Sequence, residues 1–144
     1  MASPKPSLEL DDQLCFALYA ASRAMTARYR PLLDAVGLTY PQYLVMMILW
    51  DEGPSTVSKL GERLRLDSGT LSPLLKRLEA NEFVTRSRRA EDERSVEVRL
   101  TPDGAALRGK AAGIPEQVGA LLGELDHQRL KLELRDLEIM LRDN

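Results

Sequence analysis

One stretch of the sequence, residues 55–101, constrains the fold more than any other. Apolar residues from 57 to 64 recur three and four apart, which is the spacing of one helix face. A break at 65–69, rich in capping and turn residues, separates this segment from a second helical one. Two alternating runs, 83–87 and 96–100, contain β-branched residues and predict a hairpin with a charged tip. Two helices and a charged hairpin in this order predict a winged helix-turn-helix, whose second helix is shaped to enter a DNA major groove.

The segments on either side of this stretch are also helical in pattern. Residues 10–36 place apolar side chains on one helical face, and residues 102–144 end in a helix with a broad apolar stripe. We therefore predict a mainly α fold with a small β-hairpin wing. It has a disordered tail at 1–9, a winged helix-turn-helix region at 37–101, and long terminal helices at 10–36 and 102–144 that form a dimerisation region within one interleaved domain. The apolar surface of these helices exceeds what one winged unit needs, so we expect a second copy to cover it; a monomer with a helical cap is the alternative.

The residues alone do not decide where the second helix begins or whether it continues through Pro73. Asp67 and Ser68 are both suitable caps for its beginning. Pro73 removes one backbone hydrogen bond and clashes with the preceding turn. Either the helix is kinked at Pro73, or Ser72 caps a shorter helix. Thr101 is the expected cap of the helix that follows the hairpin.

The charge of the chain is unevenly distributed. The net charge is −2, yet residues 54–101 hold ten Lys/Arg against eight Asp/Glu, and the rest of the chain holds ten against fourteen. Five basic residues lie on the second helix and the start of the wing, where phosphates would lie: Lys76, Arg77, Arg86, Arg88 and Arg89. A basic cluster alone is more often a solvated surface, but on a helix-turn-helix pattern it favours DNA binding. The sequence pI of about 5.5 argues against a non-specific architectural DNA protein.

Several classes of site are excluded by residue counts. With one cysteine and one histidine, the chain has no structural zinc site, no intrachain disulfide and no catalytic Cys–His pair of recognisable spacing. The residues predict no signal peptide, no membrane span, no metal and no cofactor. A lone cysteine in such a chain is expected to be reduced, as in a cytoplasm.

The lone cysteine, Cys15, is most simply a small buried hydrophobic residue, as most free cysteines are. Its position in the first turns of a helix favours the thiolate, whereas Asp11 and Asp12 oppose it. Tyr19 is its neighbour one turn on. Tyr29 faces the same way but lies about 21 Å along the axis, so it would reach only the Cys15 of a second copy crossing antiparallel. Phenol hydroxyls donating to the sulfur would stabilise a thiolate, the form that peroxides oxidise.

Longer stretches of the sequence resemble the MarR-type winged-helix regulators, and within them the organic hydroperoxide resistance regulators. The specific stretches are LCFALYAASR at 14–23, YRPLL at 29–33 and GLTYPQYL at 37–44. The stretch LDSGTLSPLLKRLE at 66–79 is similar to the family's recognition helix. Asp-Glu-Arg at 92–94 is similar to the wing signature of the wider group. The resemblance covers nearly the whole chain.

This resemblance implies a repressor dimer in which Cys15 is the peroxide-reactive thiolate. Tyr19, Tyr29 and Tyr40 would surround the sulfur and donate hydrogen bonds to it, some of them from the partner subunit. Some family members have a second cysteine that forms an intersubunit disulfide, and this chain has none. It is therefore similar to the one-cysteine type, whose sulfenic acid passes to a mixed disulfide with a low-molecular-weight thiol, a sulfenamide or over-oxidised acids.

The resemblance also implies which side chains meet DNA. It favours the longer second helix that tolerates Pro73. The wing residue Arg94, held by Asp92, would enter the minor groove. The residues expected to face bases and phosphates in the major groove are Ser68, Thr70, Ser72, Lys76 and Arg77.

The sequence thus predicts a DNA-binding repressor that is not an enzyme. It would bind a palindromic operator as a homodimer and release it when an organic hydroperoxide oxidises Cys15. One alternative is a MarR-type repressor released by a small aromatic or lipophilic ligand, with Cys15 incidental. A less favoured one is a thiol peroxidase, which the absence of a resolving cysteine and of a parallel βαβ pattern argues against.

Overall fold

The computed structural model describes residues 6–89 and 92–143, and for Arg89 and residues 92–94 it describes the backbone alone. The chain divides into two compact units, the first ending at Ile114 and the second beginning at Pro115. A short 3-10 turn at Leu10–Asp12 precedes the first α-helix. The elements in chain order are α1 (Leu14–Asp34), α2 (Tyr40–Glu52), β1 (Ser55–Thr56), α3 (Val57–Leu64), α4 (Ser68–Ala80), β2 (Val84–Arg89), β3 (Asp92–Leu100), α5 (Pro102–Ala111), α6 (Ile114–Leu121) and α7 (His127–Arg142).

The helices of the winged region, defined here as α2 to β3, begin at side-chain caps. Thr39 forms a capping box at the start of α2, and Thr56 caps α3. Asp67, not Ser68, caps α4, since its carboxylate accepts a hydrogen bond from a backbone N–H of the first turn. Thr101 caps α5 as predicted. Each cap satisfies a backbone donor that has no partner within its helix.

The wing is the predicted hairpin with one additional strand. β2 and β3 pair antiparallel, with Val84 opposite Leu100 and a bulge between Arg88 and Arg89. β1 pairs with the other edge of β3, which gives the strand order β1-β3-β2. The two residues of β1 are too few to show a period, so the sequence pattern did not predict this strand.

The core of the winged region is built from aliphatic side chains of α2, α3, α4 and the sheet. The fully buried ones include Met46, Leu60, Leu75 and Val98, all at 0% exposure. α4 continues through Pro73, which is exposed, so the longer helix is confirmed and Ser72 is not its cap. This burial fixes one face of α4 and leaves the opposite face to solvent.

Helix α5 is attached to the root of the wing and to the end of α2. The hydroxyl of Thr101 donates to the carbonyl oxygen of Glu82 at 2.6 Å. The Trp50 indole N–H donates to the carbonyl oxygen of Gly104 at 2.9 Å. A Cβ at Gly104 would lie 2.0 Å from the carbonyl oxygen of Phe83, so only glycine allows this approach.

The last two helices follow an interruption of the helical chain near Pro115. α5 ends at Ala111 and α6 begins at Ile114, so Pro115 lies in the first turn of a new helix. Asp126 caps α7 by accepting a hydrogen bond from the backbone N–H of Arg129 at 3.1 Å. None of the described residues belongs to a helix long and apolar enough to cross a bilayer.

Candidate DNA interface and redox site

The outer face of α4 presents most of the side chains predicted to meet DNA. Leu71, Leu75 and Leu78 are buried and hold the opposite face against the core. Ser68, Thr70, Lys76 and Arg77 are exposed, and Ser72 is half-buried. The structure therefore carries all five on one firmly held helix.

The N-terminus of α4 is held by a charged cap. The backbone N–H of Thr70 donates to Oδ1 of Asp67 at 2.7 Å. This hydrogen bond lowers the pKa of Asp67, which is consequently ionised at neutral pH. An anion at this position complements the positive end of the helix dipole and keeps the first turn ordered.

The basic residue Arg86 at the start of the wing has an intramolecular partner. Its guanidinium donates to Oε1 of Glu79 at 3.2 Å, and its backbone N–H donates to Oε2 of Glu79 at 3.1 Å. The hydrogen bond from the Arg86 side chain lowers the pKa of Glu79. The predicted contact of Arg86 with a phosphate thus competes with an ion pair inside the protein. The side chains of Asp92 and Arg94, predicted to meet the minor groove, lie outside the described residues.

Cys15 is the second residue of α1 and is exposed. Its exposure excludes burial of the thiol within its own chain. The surrounding turns carry further exposed large side chains, Leu14, Phe16 and Tyr19. The guanidinium of Arg23 lies 5.3 Å from the centroid of the Tyr19 ring, a cation–π distance.

The predicted tyrosines Tyr29 and Tyr40 meet at the other end of α1. Their ring centroids are 5.0 Å apart, and Tyr43 lies 6.1 Å from Tyr29 and 6.4 Å from Tyr40. Burial, and after it the proximity of Tyr29, raises the pKa of Tyr40. The phenol of Tyr40 therefore keeps its proton at neutral pH and remains a hydrogen-bond donor. Tyr19 is not part of this cluster within one chain.

Two members of the aromatic cluster were not predicted as site residues. Tyr43 is 3% exposed, and its ring centroid lies 6.3 Å from that of Trp50. Tyr40, Tyr43 and Trp50 are three and ten residues apart on α2, and the three-residue spacing is the signal that places two rings on one helix face. Within the part of the chain that the structure describes, no group of three or more His, Cys, Asp or Glu side chains could hold a metal ion.

Comparisons with known proteins agree with this geometry. Residues 38–96 match the model of the MarR family. The chain is 55% identical over 116 residues to the organic hydroperoxide resistance transcriptional regulator of Bacillus subtilis, covering 81% of this chain and 77% of that protein.

Two solved structures of one Staphylococcus epidermidis protein, AbfR, share the fold. Reduced AbfR bound to DNA is 35% identical with a TM-score of 0.79, and overoxidised AbfR bound to DNA is 36% identical with a TM-score of 0.78. In both cases the match covers 93% of this chain and 93% of the other. The relatives are transcription regulators rather than enzymes, as predicted. The chain belongs to the MarR family, and its resemblance to the organic hydroperoxide resistance regulators is confirmed.

Proposed function

We propose that the protein is a homodimeric repressor, acting in the bacterial cytoplasm, that releases a palindromic DNA operator when an organic hydroperoxide oxidises Cys15. The observation that carries this proposal is the exposed position of the chain's one cysteine at the start of α1. The helix that carries the thiol also carries Tyr29, a member of the tyrosine cluster, at its other end. A second copy crossing α1 antiparallel would bring the two ends together.

The dimer is supported by the apolar surface of the terminal helices. Of the 21 residues of α1 one is buried, and of the 16 residues of α7 none is. Burying a single exposed leucine contributes about 1.5–3 kcal/mol, so a face with several of them favours association. We place the dimerisation region at 10–36 and 102–144. The exposed apolar residues of α7 are Leu130, Leu132, Leu134, Ile139, Met140 and Leu141.

The DNA contacts follow from the two-fold symmetry of such a dimer. Two copies of α4 would enter successive major grooves about 34–36 Å apart, which requires a palindromic operator. Arg94, oriented by Asp92, would reach the adjacent minor groove. The side chains assigned to bases and phosphates of the major groove are Ser68, Thr70, Ser72, Lys76 and Arg77.

The chemistry begins with a thiolate at Cys15. Tyr29 and Tyr40 of the second copy, and Tyr19 of the same helix, would donate hydrogen bonds to the sulfur and favour its anionic form. The sulfur attacks one oxygen of the hydroperoxide, an S–O bond forms, and the O–O bond breaks. The alkoxide takes a proton and leaves as an alcohol, and Cys15 becomes a sulfenic acid.

The sulfenic acid then condenses with a low-molecular-weight thiol, forming an S–S bond and releasing water. This step removes the tyrosine contacts and adds bulk between the subunits. AbfR has been solved on DNA in an overoxidised form, so we assign release to the mixed disulfide rather than to oxygen atoms alone. A coupling of about 3 kcal/mol between the two states would lower operator affinity roughly 100-fold.

The substitution Cys15→Ser tests the proposal. The variant should bind the operator as the wild type does, because serine is nearly isosteric, and cumene hydroperoxide with a small thiol should no longer release it. The measurement is fluorescence anisotropy of labelled operator before and after peroxide. Because the chain has no other cysteine, release that persists in the variant would reject the sensing role of Cys15.

A groove beside the tyrosine cluster supports one second candidate, a repressor released by a small aromatic or lipophilic ligand. The groove has a volume of about 420 Å³ and is lined by Arg30, Leu33, Leu38 and Tyr40, among others. The same anisotropy assay separates the two functions. A phenolic compound that releases DNA from the Cys15→Ser variant would favour this candidate.

A further inference from the structure

A single carboxylate connects the recognition helix to the wing. Glu79 lies in the last turn of α4, and Arg86 is the third residue of β2. Oε2 of Glu79 accepts the backbone N–H of Arg86 at 3.1 Å, and Oε1 accepts its guanidinium at 3.2 Å. The carboxylate therefore holds both the main chain and the side chain of one wing residue.

The main-chain contact follows from the position of β2 in the sheet. β2 is an edge strand, because the strand order is β1-β3-β2. Alternate N–H groups of an edge strand point away from the sheet and have no strand to donate to. Glu79 satisfies one of them, at Arg86. On its other side Arg86 is in register with Val98, which is fully buried. The strand is thus fixed from the sheet and from α4 together.

The loop between α4 and β2 is short, and a further hydrogen bond fixes it. Three residues connect the two elements, and among them Glu82 has a φ of +63°. The hydroxyl of Thr101 donates to the carbonyl oxygen of Glu82, which ties the loop to α5. The side chain of Arg86 is 25% exposed, against 58% for Arg99 on the neighbouring strand. The guanidinium of Arg86 lies against the protein rather than extending from it.

We propose that Glu79 and Arg86 are positioning residues that set the angle between the recognition helix and the wing. In this assignment, which rests on the proposed DNA interface, Arg86 raises operator affinity by holding the wing and not by contacting a phosphate. A specific site requires α4 in the major groove and the wing in the minor groove at once. Non-specific binding depends on phosphate charge alone and tolerates a displaced wing.

Removing Glu79 should change operator affinity in opposite directions, depending on whether charge alone or the position of the wing decides binding. As an anion on the DNA-contacting helix, Glu79 would repel phosphates, so its removal would tighten binding if charge alone mattered. If it positions the wing, its removal weakens specific binding. The salt dependence of Arg86→Gln separates the two assignments again. If Arg86 contacts a phosphate, its loss reduces the magnitude of the slope of log affinity against log salt by about 0.9. If Arg86 only holds the wing, the slope stays unchanged.

The experiment uses the full chain and two 30-bp duplexes, one selected by the wild type from a random pool and one scrambled. We expect Glu79→Ala and Arg86→Gln each to weaken the selected duplex on the order of tenfold, with the scrambled duplex and the salt slope unchanged. The double variant should lose no more than Glu79→Ala alone, because that substitution already removes both hydrogen bonds of the carboxylate, including the one that Arg86→Gln removes. Glu52→Gln, which removes a carboxylate 3.4 Å from Arg63 outside the wing, is the matched control and should bind as the wild type does.

Unchanged or tighter binding by Glu79→Ala, a lower salt slope for Arg86→Gln, or additive losses would each overturn the assignment. Thermal unfolding of every variant is recorded first. Glu79→Gln keeps the shape and one acceptor oxygen, so it should show a smaller loss of the same kind even if the alanine variant is unstable. A wild type that selects no duplex would instead reject the proposed function itself.

Discussion

The winged region and the terminal helices α1 and α7 differ in how much of their surface the chain itself covers. α4, with 13 residues, buries three leucines, whereas α7, with 16 residues, buries none. Yet α7 contains leucines at a similar frequency. The winged region thus has a core of its own within one chain, whereas we expect the terminal helices to depend on contacts from a second copy.

Helix formation itself does not explain this difference. α7 begins at a side-chain cap, Asp126, just as α4 begins at Asp67. α1 begins after Gln13, which makes no side-chain cap hydrogen bond, but α1 is nevertheless 21 residues long. What separates the two regions is burial, and burial contributes most of the stability of a helix in a protein. Changes that act on burial should therefore affect the two regions in different ways.

The largest effect is expected where a second copy would cover α7. Leu130→Glu combined with Leu134→Glu places four charges in the interface of a symmetric dimer. Each leucine is 40% exposed in one chain, so losing the remaining burial of two leucines from each copy weakens association by roughly 2–5 kcal/mol, and the buried carboxylates weaken it further. Sedimentation equilibrium should then find monomers at concentrations where the wild type is dimeric. Arg129→Gln, on the same helix with its side chain 78% exposed, is the control and should leave the dimer intact.

If the double variant remains dimeric at low micromolar concentration, α7 does not lie in the dimer interface. The contrast between the two regions would then need another explanation. It would also contradict the dimerisation region proposed above.

A smaller effect, confined to one chain, is expected from two glycines of α5. Gly104→Ala would place a Cβ 2.0 Å from the carbonyl oxygen of Phe83. Because this oxygen belongs to the backbone, the clash can be relieved only by moving the main chain. We expect a loss of about 2–3 kcal/mol in the free energy of unfolding. Gly109→Ala is the matched control: its Cβ meets nothing within 4 Å, so the higher helix propensity of alanine should add about 0.5–1 kcal/mol.

Urea unfolding at one fixed protein concentration measures both changes. Equal effects of the two substitutions would show that α5 is not packed tightly on the root of the wing. Opposite signs would confirm that this part of the chain is close-packed without help from a partner.

What the sequence could predict depended on how far apart in the chain the interacting residues lie. Thr101 was predicted as a cap because it acts within the first turn of its own helix. β1 was not predicted, because its pairing joins Ser55 to Val98, and two residues show no period. The helix-turn-helix and its hairpin were recognisable because each of their elements has a periodicity of its own.

At the site, too, contacts within one element were predictable and contacts between elements were not. The exposed face of α4 followed from the spacing of its buried leucines. The partner of Arg86 did not, since a basic residue at the start of a wing has the same pattern whether it meets a phosphate or Glu79. The position of Tyr29 beside Tyr40 joins two helices and became visible only in three dimensions. The surroundings of Cys15 in a dimer remain a prediction, because they require a second chain.

The smallest effect on stability is expected from the charge of Asp67, the cap of α4. It tests whether an interaction within one chain stabilises the winged region. The pKa of Asp67 is lowered from 3.8 by the hydrogen bond from the backbone N–H of Thr70. A carboxyl group with a lowered pKa in the folded state stabilises the fold above 3.8, and this contribution is lost as the pH falls through the lower folded value. Asp67→Asn keeps the cap acceptor and removes the charge.

We therefore expect Asp67→Asn to unfold on the order of a degree or two below the wild type at pH 7, and this difference should close as the pH is lowered below 3.8. Asp67→Ala removes the acceptor as well, so its difference from the wild type should be larger at pH 7 and should not close completely in acid. Thermal unfolding followed by circular dichroism between pH 2 and pH 7 measures all three proteins. A constant offset between the asparagine variant and the wild type would mean that the charge of Asp67 contributes nothing, and that hydrogen-bond geometry alone holds the first turn of the recognition helix.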